Sequence, residues 1–450
     1  MLKLLFLIVF FMSFFLPATG SDIMFPSVPL DSHDRILIFA PHPDDETVGT
    51  GGLIQQALEK NIPVHIVFLT NGDFNEWSFM IYRERPVIKR EAVLKMGEVR
   101  HDEAVKASAV LGVSESNLTF LGYPDYGTQE IWCRHWNEAP PYESFLTGAK
   151  EVPYSNSFRP GAPYKGEEIL KDIKKIIEDF RATKIFVTHG ADNHPDHRAF
   201  YLFARLALME LVMDTPVYPY LVHYNRWPDP RKYRPEEFLY PPDSLAGRAE
   251  WKQLLLPSPV LSLKVKALKE HKTQYEANTD YLLSFMRPDE LFGDMPFIDI
   301  IDETERDLGE CKEPSLPEEL LDKEKDFFTD MEKLSVKIDG KNLFFSASLS
   351  RPLVEAVDLS VYLFGYRHDI DFSLMPKIHI KFTPLGYEVY DGYRKLPKDT
   401  LTVKKDFKNI TLLIPLTSMG EPQKIFIAAE TYLAGVPLDT SPWRIIVVKE

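Results

Sequence analysis

The 450 residues are more than one ordinary core organises, so two domains are expected, and an apolar fraction of 44% is normal for globular protein. A net charge of −15 argues against a nucleic-acid partner, which needs a basic footprint. It suits a protein acting on neutral or cationic substrates. At the N-terminus, Lys3 leads the apolar run Leu4–Leu16, and Ala18, Thr19 and Gly20 offer small residues at cleavage spacing. The pattern predicts a secretory signal peptide over residues 1–20, and the run is shorter than the ~20 residues of a membrane-spanning helix. The expectation is a secreted or periplasmic protein with no stable membrane insertion after cleavage; a retained N-terminal anchor is the alternative. Cys133 and Cys311 would either pair in such a compartment or stay separate thiols.

Strand and helix signals alternate from residue 35 onward. Ile36 to Phe39 is an apolar run that leads into Ala40–Glu46, read A-P-H-P-D-D-E, and a helical pattern follows through Gly49 to Gly52. Ile62–Leu69 reads as a buried parallel strand ending in Thr70-Asn71-Gly72-Asp73. Arg90–Leu111 has helical spacing and closes at Gly112, and Leu118–Leu121 reads as a strand ending in Gly122-Tyr123-Pro124-Asp125. Residues 126–165 show no period and read as a lid or binding loop. Gly166–Phe180 is an amphipathic helix feeding a strand, Lys184 to Val187, which runs into Thr188–His197, read T-H-G-A-D-N-H-P-D-H. Pro195 suits the first position of the next helix, with His194 as its cap. Val217–His223 is a further strand and Val265–Leu283 a further helix.

Residues 302–332 form an acidic linker. Beyond it Asp339-Gly340 sits between two alternating runs, a hairpin signal, and short β runs continue to Val448. The chain therefore divides into a signal peptide (1–20), a Rossmann-like α/β domain with a mainly parallel sheet (21–301), the linker, and a smaller all-β, sandwich-like domain (333–450). Exposed-looking aromatics in the last, such as Tyr366 and Tyr387, allow carbohydrate binding; a packing module is the simpler reading.

The two motifs carry the chemistry. One His and three consecutive acids share one tight turn, and charges that close repel unless a cation sits among them. The second motif adds two His at the carboxyl end of another strand, the edge where open α/β sheets bind ligands. Gly49-Thr50-Gly51-Gly52 is no dinucleotide fingerprint, because the acids before it would repel a pyrophosphate; the glycines fit close helix–strand packing.

Together, P-H-P-D-D-E and H-P-D-H resemble the zinc-dependent de-N-acetylase family of N-acetylglucosaminyl-phosphatidylinositol deacetylase and its bacterial relatives (PIG-L/LmbE-like), from about Arg35 to Phe292. The resemblance implies zinc, or another divalent metal, held by His42, Asp45 and His197. It implies hydrolysis of an acetamide on an N-acetylglucosamine-type glycan or glycoconjugate by attack of a metal-bound water. In this reading Asp44 is the general base, His194 an imidazolium that stabilises the oxyanion, and Asp196 the carboxylate that orients His194 and keeps it charged. Arg100, Asp125 and Asp73 are expected to contact substrate, and Glu46 to act behind the site. Where some relatives carry a Tyr, this chain has Asp192. His223 and His271 have no ligand spacing and read as structural or exposed, and Trp77, Trp132, Trp136, Tyr123 and Tyr126 serve either sugar stacking or packing. The rival readings are a zinc amidase or esterase on a non-sugar substrate, and a non-catalytic sugar-binding protein with a structural metal.

Overall fold

The computed structural model describes residues 25–74, 89–300, 304–309, 329–353, 357–433 and 436–449. The expected signal peptide, Trp77, Cys311 and most of the acidic linker lie outside the described residues. No helix among the described residues is long and apolar enough to cross a membrane.

Five parallel strands form the first sheet: β1 (Ile36–Ala40), β2 (Val64–Thr70), β3 (Leu118–Tyr123), β4 (Lys184–Thr188) and β5 (Val217–Tyr220), in the spatial order β3-β2-β1-β4-β5. β1 is buried along its whole length, as a continuous apolar run demands of a central strand. Its residues alternate between two cores. Ile36, Ile38 and Ala40 face α1 (Asp45–Glu59) and α2 (Arg90–Leu111), while Leu37 and Phe39 face α4 (Gly166–Phe180) and α5 (Pro195–Glu210). The strand order reverses between β1 and β4, which are hydrogen-bonded neighbours with Phe39 opposite Val187. Loops leaving two such strands diverge over opposite faces and open a crevice at the switch point. That register is what brings two motifs about 150 residues apart to one place.

The glycines of α1 permit its close seating. A Cβ on Gly49 would lie 2.2 Å from the Tyr220 ring, and one on Gly52 would lie 2.2 Å from Leu256.

Three parts of this domain differ from the sequence reading. Residues 126–165 contain a short helix, α3 (Thr128–Arg134). The expected helix Val265–Leu283 is three pieces, Ser258–Leu268, Lys272–Ala277 and Thr279–Leu283, broken where His271 turns inward to Glu46. An antiparallel pair, β6 (Glu250–Leu255) with β7 (Asp289–Asp294), carries too many polar residues to read as strand, because Glu290 reaches into the protein to bind the backbone of α1.

The C-terminal part is the expected sandwich. A five-stranded antiparallel sheet built around Met331–Asp339, Asn342–Leu349 and Asn409–Pro415 faces a larger sheet built around Val357–Tyr366, Lys377–Thr383 and Lys424–Leu433. An apolar core lies between them. The larger sheet also takes Ile298–Ile300, which pairs parallel to Arg444–Val448, so a strand from the expected 21–301 span belongs to it. Its outer face packs onto the α/β domain. Trp132 is fully buried there, with ring contacts to Phe203 at 5.1 Å, Phe372 at 5.4 Å and Phe426 at 5.3 Å. Trp132, Trp136 and Tyr123 are thus packing residues, and Cys133 is a buried free thiol beside them. Tyr366 is buried as well, against the exposed aromatic the sequence suggested.

Candidate metal centre

All five parallel strands deliver a chemically active residue to the same edge. β1 leads to His42, β2 to Asp73, β3 to Asp125, β4 to the His194–His197 segment and β5 to His223.

Three atoms meet at the switch point. His42 Nδ1 lies 3.2 Å from Asp45 Oδ2, Asp45 Oδ2 lies 3.1 Å from His197 Nε2, and the two ring nitrogens are 3.2 Å apart. A tetrahedral zinc with bonds of about 2.0–2.1 Å spans ligand edges of roughly 3.3 Å, so this triangle fits three of its corners. The far nitrogen of each ring faces carboxylate. His42 Nε2 is 3.1 Å from Asp125 Oδ1 and 3.3 Å from Asp196 Oδ2, and His197 Nδ1 is 3.2 Å from Asp192 Oδ2. Carboxylates at those positions suit a ring proton on each outer nitrogen, which would leave the inner nitrogens to face one point when a cation binds. Burial disfavours charge on both rings. The carboxylates outweigh it, holding His42 well above the ordinary histidine range and His197 at about 9. Four aspartates around two imidazoles are surroundings that suit a divalent cation. His194 and His223 bring further nitrogens close, for one donor atom each from His42, His194 and His197 lies within 4.8 Å, as for Asp45, His197 and His223.

Asp44 stands beside this triangle. Its backbone has φ 123° and ψ −30°, a region an L-residue rarely adopts. Three contacts hold it. Glu46 Oε2 accepts the Asp44 N–H at 2.9 Å, Arg100 Nη2 donates to the Pro43 carbonyl at 2.6 Å, and the same nitrogen is 3.3 Å from Asp44 Oδ1. Burial pushes the Asp44 carboxyl up to about 7, with Arg100 opposing.

Several expected roles need correction. Asp196 does not orient His194: its Oδ2 is 4.0 Å from His194 Nδ1, and the carboxylate is taken by His42 and by the N–H groups of Tyr126 and Thr128 at 2.6 and 3.0 Å. His194 Nδ1 instead accepts the Asp196 backbone N–H at 3.2 Å, as the cap of α5. A ring nitrogen that accepts carries no proton, so His194 is neutral with its proton on Nε2. Burial first, then the neighbouring His42 and His197, push its pKa well below the usual range. The cap hydrogen bond favours a neutral His194 over the imidazolium expected.

Arg100 is buried and spends its fork on Gly72 O at 2.7 Å, Pro43 O and Asp44, so it clamps two loops at this sheet edge rather than reaching outward. Asp125 faces His42 and accepts the Phe74 N–H at 2.9 Å, and Asp73 is buried with Oδ2 accepting from the Tyr154 hydroxyl at 2.6 Å. All three expected substrate contacts are turned inward.

Three residues went unrecognised in the sequence. Asp192 accepts backbone N–H groups of His194, Val222 and His223 at 2.9, 3.0 and 3.0 Å while backing His197. His223 sits with its ring 4.9 Å from that of His197 and is pushed down to about 4 by burial, then by His197. His271 donates to Glu46 at 2.8 Å and so supports the Asp44 turn from behind. Their position just beyond a parallel strand was the available signal for the first two. Facing outward near this triangle is an aromatic lip. The Tyr126 ring is 4.3 Å from His194 and 4.8 Å from Phe74, which is 5.5 Å from the exposed Phe145.

A parallel sheet whose switch point gathers two imidazoles, a carboxylate and an adjacent acid defines a Rossmann-like protein with a His/Asp cluster that could hold a metal. Residues 37–208 match the PIG-L family model, described as GlcNAc-PI de-N-acetylase, so the resemblance carried by two motifs extends over that whole stretch. The chain is 29% identical over 175 residues to 1D-myo-inositol 2-acetamido-2-deoxy-alpha-D-glucopyranoside deacetylase 1 of Saccharopolyspora erythraea, covering 37% of this chain and 51% of that protein. It is 31% identical over 91 residues to a probable N-acetyl-alpha-D-glucosaminyl L-malate deacetylase 2 of Bacillus anthracis, covering 20% of this chain and 36% of that one. The chain thus spans about half the length, or less, of these curated relatives. Among solved structures, N,N'-diacetylchitobiose deacetylase from Pyrococcus horikoshii aligns with a TM-score of 0.34 at 17% identity, covering 55% of this chain and 75% of that one.

Proposed function

We propose that the protein is a zinc-dependent hydrolase that removes N-acetyl groups from N-acetylglucosamine-type glycans or glycoconjugates outside the cytosol. The observation that carries this reading is the triangle of His42 Nδ1, Asp45 Oδ2 and His197 Nε2, with edges of 3.1–3.2 Å, beside the Asp44 carboxyl. The names of the matched relatives, both deacetylases of N-acetylated sugars, favour the same bond and substrate class.

His42, Asp45 and His197 would hold the metal, which when bound supplies a Lewis acid that polarises the acetamide carbonyl and acidifies water. Asp44 takes a proton from the attacking water, a task suited to a carboxyl lifted to about 7. As the C–N bond breaks, Asp44 returns that proton to the leaving amine. Neutral His194 donates its Nε2–H to the carbonyl oxygen as negative charge develops there, replacing the imidazolium first expected. Tyr126, with Phe74 and Phe145, offers a stacking face for the sugar ring. An extracytosolic location rests on the N-terminal apolar run and awaits its own test.

The deciding assay measures acetate release from N-acetylglucosamine glycosides, chitin oligomers and acetylated peptides with the zinc-loaded full chain. The reading predicts zinc-dependent release from the sugars and none from the peptides. Release from peptides alone, or from neither class, would overturn it.

A further inference from the structure

A buried ion pair next to the second motif takes no part in the proposed chemistry. Arg198 directly follows the ligand His197, and its guanidinium joins three parts of the molecule. Nε donates to Gln129 Oε1 at 3.0 Å, Nη1 donates to the carbonyls of Asp192 and Asn193 at 3.1 and 3.0 Å, and Nη2 donates to Glu430 Oε1 at 3.3 Å. Glu430 belongs to the Lys424–Leu433 strand of the β domain. It is 1% exposed, also accepts from Gln129 Nε2 at 3.0 Å, and is bound by the Tyr432 hydroxyl. A second β-domain group reaches the same loop, for the Trp443 backbone N–H donates to the Gly190 carbonyl at 3.3 Å.

We propose that the β domain completes the metal centre, with Glu430 as its positioning residue. The line of force is short. Glu430 fixes the guanidinium, the guanidinium fixes the Asp192 and Asn193 carbonyls, and the Asp192 carboxylate then stands 3.2 Å from His197 Nδ1. An arginine fork can hold two carbonyls and a carboxylate in one plane, where a lysine, as a point donor, cannot. A buried guanidinium left without an acceptor at this position would have to reorient or draw in water, and the loop would loosen with it. The second motif therefore reaches its geometry only with the β domain in place. This inference rests on the metal reading above.

The test is zinc affinity, measured on the full chain by competition with a chromogenic chelator, alongside the visible spectrum of the cobalt-substituted protein. Glu430→Leu is expected to bind zinc at least about tenfold more weakly, the loss typical of groups behind a metal ligand, and to alter the cobalt bands. Glu430→Gln, which retains an acceptor oxygen of the same size, should recover affinity to within about threefold of wild type, by the same scale. Should Glu430→Leu fail to fold, Arg198→Lys reads the same link, because it retains the charge opposite Glu430 but gives up the fork; the same loss is expected. Wild-type affinity and an unchanged cobalt spectrum in either folded variant would overturn the clamp alone. A wild-type chain that binds no zinc would instead overturn the metal reading beneath it.

Discussion

Asp44 shows what the motif could and could not tell. The run of acids marks the turn, and its order separates a residue that points into the triangle from one that stands beside it. What holds Asp44 at φ 123° comes from elsewhere, through Glu46, His271 and Arg100. A strained non-glycine backbone persists only where its surroundings over-determine it, and such strain concentrates at functional sites. The direction of the Arg100 fork was illegible because it depends on which loops α2 faces, a property of the assembled sheet. Asp192 was misjudged for a related reason. Compared with relatives at its position it looked like a missing aromatic, whereas its carboxylate is what backs His197. Asp44→Asn should keep stoichiometric zinc and lose about 10²–10⁴-fold in kcat, the usual range for a removed general base, as stopped assays with parallel metal analysis would show. An Asn variant of near wild-type rate would remove Asp44 from the chemistry.

At the scale of elements, the apolar runs placed all five parallel strands, because a buried central strand has no polar face to hide its period. The antiparallel β6–β7 pair and the break at His271 were hidden because both present polar residues inward to specific partners, Glu290 to the backbone of α1 and His271 to Glu46. A similar inward polar residue gives the sandwich a pH dependence. His379, on the Lys377–Thr383 strand, is buried between Tyr362 and Tyr390 and bonds Ser360, and burial pushes its pKa down to about 3. Below the ordinary value of 6.5 the unfolded chain takes up a proton that the folded chain refuses until about 3, so stability falls as pH drops through that window. Between pH 6.5 and about pH 5 this costs about 2 kcal/mol. Urea titrations of wild type and His379→Gln should show a midpoint that falls over this range in the former and a shallower fall in the latter. Parallel slopes would mean that His379 is charged when folded.

At the scale of the molecule, the sequence announced a second domain by its change of texture yet concealed how the two parts join. Trp132 and Trp136 lie in a stretch with no period, and only the fold shows them as the seam between α/β layer and sandwich. Of the aromatics that the sequence left open between sugar stacking and packing, Trp132 and Trp136 form that seam, whereas Tyr126 is exposed, as is Phe145. Trp132→Ala should lower stability by about 3–5 kcal/mol, as large core truncations do, and urea unfolding would register it in both domains at once. A loss under about 1 kcal/mol would contradict a packed seam.

If two distant turns close on one ion, X-ray absorption at the zinc edge of the metal-loaded full chain will see both. One zinc per chain is expected, coordinated only by nitrogen and oxygen at about 2.0–2.1 Å, with the outer-shell scattering of two imidazoles that drops to one in His197→Ala. Zinc with no imidazole scattering, or a spectrum unchanged by His197→Ala, would contradict it.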